Sequence, residues 1–120
     1  MRRLIPVFFP VIIILLVSGC VKNEAGRIPP TIRYGEDLCA ECHMIISEPK
    51  FAAALHDGRE WKKFDDIGCL EIYQDKGWMR GTAWVHDYTT ETWIEKDAAI
   101  ILVSDEIRTP MGYGKIAKTQ

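Results

Sequence analysis

The 120-residue chain has no surplus of positive charge: 15 Lys and Arg stand against 17 Asp and Glu, a formal net charge of −2. Without a basic footprint, nucleic acid is excluded as a partner. There is also no apolar run of spanning length. The longest, residues 4–17, holds 14 positions and is interrupted by Pro6 and Pro10, against the roughly 20 that a membrane-spanning helix needs. A second Cys-x-x-Cys pair is missing, which weakens any closed four-ligand zinc site. Internal repeats and low-complexity tracts are absent as well, so neither a solenoid nor a disordered scaffold is indicated. No nucleophile, base and oxyanion donors stand in a recognisable arrangement, and the expectation is that the protein is not an enzyme.

What the chain does contain begins at its first residue. Met1-Arg2-Arg3, the short apolar run and the small pair Ser18-Gly19 ahead of Cys20 have the layout of a secretory leader. Ser18-Gly19-Cys20 resembles the lipobox of bacterial lipoproteins, which implies a leader over residues 1–19 and a lipid on Cys20. The expected location is then the cell membrane or outer membrane, with the domain facing the periplasm or the cell exterior. Residues 20–34, with Gly26, Pro29 and Pro30, read as a lipidated N-terminus and tether. Residues 35–120 are left for one small domain, and the shed leader takes Arg2 and Arg3 with it, leaving 13 basic against 17 acidic residues.

With Cys20 lipidated, Cys39, Cys42 and Cys69 remain. An odd number of cysteines in an oxidising compartment argues against a purely structural disulfide framework. At least one thiol is left for reactivity or for a metal.

The periodicities predict an α+β domain. Asp57-Gly58 between two short apolar-containing runs predicts a β-hairpin with a type I′ turn, although the alanines of the first run leave a helix over 50–56 open. Asp65-Asp66 offers an N-cap for a helix of about three turns closed by Lys76-Gly77. Residues 82–88 alternate like a half-buried strand, and residues 98–103 form a continuous apolar run that predicts a core strand. The sum is a ββαβ-type domain in which one helix packs on a mainly antiparallel sheet.

Four chemistries compete for Cys39-Ala40-Glu41-Cys42-His43-Met44. C-x-x-C-H is the attachment pattern of c-type haem, with His43 and Met111 as axial ligands, but small cytochromes of that kind wrap haem in helices, and here hairpin and strand signals follow. A thioredoxin-like site requires a preceding central strand, and residues 32–37 are too short and polar to supply one. A structural zinc site needs four closed ligands, which Cys39, Cys42, Cys69 and one histidine would have to provide. Copper(I) prefers thiolate and thioether sulfur, and Cys39, Cys42 and Met44 offer three such donors, with Met111 in a Pro-Met-Gly loop as a fourth.

The ordered set Asp37-x-Cys39-x-x-Cys42-x-Met44-x-Ile46, Phe51-Ala52-Ala53, Asp57-Gly58, Phe64-Asp65-Asp66-x-Gly68-Cys69-Leu70, Ala83-Trp84-Val85-x-Asp87-Tyr88-x-Thr90, Trp93-Ile94 and Thr109-Pro110-Met111-Gly112-Tyr113-Gly114 resembles the NosL family over residues 35–117. The resemblance implies an exported copper(I)-binding lipoprotein that supplies nitrous oxide reductase or its copper-assembly machinery. It also implies a fold related to organomercurial lyase. Carried over by position, it marks Asp37, Cys39, Cys42, Met44 and Met111 as the metal site, with Tyr113 where some relatives have histidine; by residue type alone, Cys69 and His43 are further candidates. Zinc is the alternative ion. The alternative functions are a small c-type cytochrome and a metal-buffering lipoprotein with no single client.

Overall fold

The computed structural model describes residues 26–77 and 81–120. The leader and Cys20 lie outside the described residues, as do Trp78 and Met79. Strands β1 (Ala53–His56) and β2 (Trp61–Phe64) form the expected hairpin. Its connection is a four-residue loop and not a two-residue type I′ turn, because His56 pairs with Trp61 and only Gly58, at φ 95°, has a positive φ there. The Asp57 carboxylate accepts the N–H groups of Arg59 and Glu60 at 2.7 and 2.8 Å, which satisfies the longer loop from within.

Helix α1 (Ile67–Asp75) starts where the paired acids predict. Asp66 is the N-cap, its carboxylate accepting the Gly68 N–H at 2.9 Å. The helix buries Ile67 and Leu70 against Leu55, Phe64 and Val85 of the sheet. That sheet is completed by β3 (Thr82–His86) and β4 (Trp93–Glu95), in the order β2-β1-β3-β4, with every pairing antiparallel. All four residues of β1 are buried. The alanines that weakened its strand propensity are the residues a central strand tolerates when both of its faces are covered.

The register sorts the side chains into two faces. Ala53, Leu55, Phe64, Val85 and Ile94 point toward α1. Opposite them, Trp61, His56, Trp84, His86 and Trp93 occupy the other face, consistent with the His56–Trp61 and His86–Trp93 ring contacts at 4.8 and 3.7 Å. Part of the segment read as a tether lies along this second face. The Trp84 indole N–H donates to the Gly26 carbonyl at 2.8 Å, Gly26 rests on His56, and Ile32 is buried in the core.

Strands β5 (Ala99–Val103) and β6 (Lys115–Thr119) form a separate antiparallel pair. The prediction of a core strand over 98–103 fails here: Ala99 and Ile101 are half-buried, whereas Ile100, Leu102 and Val103 are exposed. A continuous apolar run does not reveal whether one face or both will be covered, and β5 has a partner on one edge alone.

Asp87 joins the two sheets. It makes a parallel bridge to Ala117, and its buried carboxylate accepts the N–H groups of Thr89, Thr90 and Thr119 at 2.8 to 2.9 Å. Those backbone donors, Thr90 and then Thr119 foremost, hold its pKa well below the usual carboxylate range. A carboxyl depressed in the folded state contributes stability that is complete above its unfolded value of about 3.9 and is lost as pH falls further. Thermal melts followed by circular dichroism from about pH 5 to pH 2 should therefore lose stability more steeply in the native chain than in Asp87→Asn. Parallel acid profiles for the two would contradict this role.

Candidate metal centre

Residues 37–46 form a tight hairpin of their own. Leu38 bridges Ile45, the Cys39 N–H donates to the Met44 carbonyl at 2.8 Å, and the Ile46 N–H donates to the Asp37 carbonyl at 2.8 Å. Between them the chain reverses through His43, whose φ of 64° lies in the left-handed region that few residues other than glycine adopt. The Ala40 N–H donates to the Lys63 carbonyl at 2.8 Å, which pins the hairpin beside the end of β2. Cys39 thereby enters the core, 1 % exposed, and Cys42 stays half-buried at the surface.

Two further residues arrive from the β2–α1 junction. Asp65 directly follows β2 and Cys69 lies in the first turn of α1, both buried. The ligand atoms of Cys39, Cys42, Asp65 and Cys69 all lie within 4.8 Å of one another, and the three cysteines are free thiols. Two sulfurs bound to one ion at about 2.3 Å are separated by about 3.8 to 4.0 Å. Closing the group on a metal therefore asks the ligand atoms to approach by about an ångström at most. The residues fit a thiophilic ion.

The electrostatics are those of one anion shared among three thiols. The thiol of Cys69 donates to the Cys39 sulfur, and the N–H groups of Cys42, Asp65 and Glu41 add to it. Together they outweigh burial and lower Cys39 to about 6. Burial, followed by the adjacent Cys39 sulfur and Asp65, pushes Cys42 up to about 11. Its thiol donates to Asp65 Oδ1 at 3.4 Å. Cys69 is driven upward too, first by the hydrogen bond it gives Cys39 and then by burial. At neutral pH the group holds one thiolate and two thiols.

The Thr109–Gly114 loop covers the start of α1. Asp66, already the cap, accepts the Met111 N–H at 3.1 Å through its second oxygen. Tyr113 packs on Gly68 so closely that a Cβ there would sit 2.2 Å from the ring. Burial, followed by the acidic groups beside it, Cys69 first and then Asp66, Glu41 and Cys42, pushes the Tyr113 phenol up.

Of the residues expected from the sequence, Cys39, Cys42 and Cys69 come together. Met44 and Met111 are 58 % and 38 % exposed. His43 is exposed and serves the turn. Asp37 is spent on ion pairs with Lys63 at 2.7 Å and Arg33 at 3.1 Å, and those contacts, Lys63 foremost, lower it to about 2. Asp65 is the member that sequence reasoning missed, since an acid before a helix reads as a cap. The available signal was its redundancy: two adjacent aspartates precede one helix, and one of them suffices to cap it.

Fold and cluster define a small α+β domain with three thiols and a carboxylate able to hold a metal ion. No family model matches the chain, and no curated protein matches it.

Metal binding to three thiolates must expel the protons held by Cys42 and Cys69. Titration of the reduced protein with metal in weakly buffered solution near pH 7.5 should release about two protons per ion, and affinity should fall as pH drops. Release of no protons would contradict the shared-anion state.

Proposed function

We propose that this protein is a carrier of copper(I), anchored to a membrane through Cys20, that delivers its ion to an exported copper enzyme. The observation that carries the reading is the convergence of Cys39, Cys42 and Cys69 with Asp65 inside 4.8 Å. Thiolate sulfur selects soft ions, and copper(I) accepts the two- or three-coordinate shells that three cysteines provide. Two of the sulfurs are buried and one is at the surface, an arrangement suited to transfer. An incoming sulfur ligand approaches Cys42, binds the ion as Cys42 leaves, and takes it from the inner pair in turn.

In this reading Met44 and Met111, both exposed, supply neutral thioethers. Such donors bind copper(I) without adding charge and exchange readily, so their place is in loading and release more than in retention. Nitrous oxide reductase is the client implied by the sequence resemblance, and it stands as part of the proposal. The haem alternative draws no support from the fold, since Cys39 is sealed in the core and a sheet follows the motif. Zinc is favoured by one feature, the Asp65 carboxylate, which would complete a four-ligand shell.

The test is competition against a chromophoric copper(I) chelator under reducing, oxygen-free conditions, with zinc titrated in parallel. Copper(I) should bind in a one-to-one ratio, and Cys69→Ser should weaken it on the order of a hundredfold, as expected when one of three anionic ligands is lost. Met111→Leu should leave the affinity within about tenfold and slow transfer to the chelator. Binding that survives Cys39→Ser together with Cys69→Ser would overturn the proposal, and a marked preference for zinc would replace it with a structural zinc site.

A further inference from the structure

The face of the four-stranded sheet opposite α1 carries Trp61, Trp84 and Trp93, all half-buried, and the strap of residues 26–32 crosses it at Trp84 and beside Trp93. The Trp84 indole is satisfied by Gly26, while no atom of the described chain accepts from the Trp61 and Trp93 indoles. The strap leaves Ile28 78 % exposed. On either side of the strap lie two open clefts, one between Tyr34, His86 and Trp93 and one between Arg27, Thr82 and Trp84.

We infer that this tryptophan face is the surface the domain lays on the bilayer interface, an inference that rests on the lipid anchor at Cys20 proposed above. The length of chain between anchor and domain is the decisive constraint. Five residues stand between Cys20 and Gly26, and the six steps from one to the other span at most about 20 Å. Gly26 is fixed to the centre of the tryptophan face, on Trp84 and His56, so an anchored chain holds that face close to the headgroups. Indoles, with an apolar body and a polar N–H, are side chains that settle at this depth, and Ile28 adds an apolar contact.

The consequence concerns the metal. Cys69 and its helix pack on the other face of the sheet, and Asp65 follows the end of β2 farthest from the His56–Trp61 turn. A domain resting on its tryptophan face turns the thiol cluster away from the lipid, open to a protein partner.

The test uses the full chain processed in a bacterial host, carrying Trp78→Phe so that emission comes from the three tryptophans of the sheet. It is reconstituted in vesicles of phosphatidylglycerol and a phosphatidylcholine brominated on its acyl chains, and the mass of the mature protein is measured. Fluorescence should fall by about twofold relative to unbrominated vesicles. Ile28→Glu should restore much of that loss while copper(I) binding stays unchanged. A lipidated chain with unquenched tryptophans overturns the inference alone, whereas a mass without lipid overturns the anchor and the inference together.

Discussion

Three thiols gathered beside a carboxylate within 4.8 Å in a largely buried site cannot all be thiolates near neutral pH. The domain resolves the conflict by letting Cys39 take the charge and surrounding it with donors: the Cys69 thiol and three backbone N–H groups. Cys42 and Cys69 remain protonated as a result. This metal-free state is held together by hydrogen bonds that a soft cation would replace with sulfur–metal bonds. Exchange of that kind, hydrogen bonds for sulfur–metal bonds, is what the proposed carrier role asks of the site.

Much of the fold serves to hold that group. The central position of β1 fixes the end of β2, the end of β2 receives the 37–46 hairpin, and the same end places Asp65. Asp66 performs two tasks with two oxygens, capping α1 and holding the Met111 loop over it. Gly68 is required at that point because Tyr113 occupies the volume a side chain would take. The segment Phe64-Asp65-Asp66-Ile67-Gly68-Cys69 thus packs a core anchor, a ligand candidate, a cap, a contact for the loop and a thiol into six residues.

Local physics was legible in the sequence. The helix start at the paired aspartates, the hairpin, the strand over β3 and the α+β class all follow from caps, turns and periodicity. Residues whose placement depends on tertiary partners were harder to read. Asp65 looked like a cap because its distance to Cys39 and Cys42 is created by the hairpin docking on β2. The ion pair of Asp37 with Lys63, 26 residues on, is likewise a product of that docking. The apolar run of β5 carried no mark of the side left open, and Pro29-Pro30 looked like a free linker because nothing local announces the tryptophan face that residues 26–32 cross.

The central claim is that the three cysteines act as one soft-metal site. X-ray absorption of the copper(I)-loaded, reduced protein reads the shell directly. The account predicts about three sulfur neighbours around each copper and no more than a minor oxygen or nitrogen contribution. A shell dominated by nitrogen or oxygen, or one with a single sulfur, would contradict it.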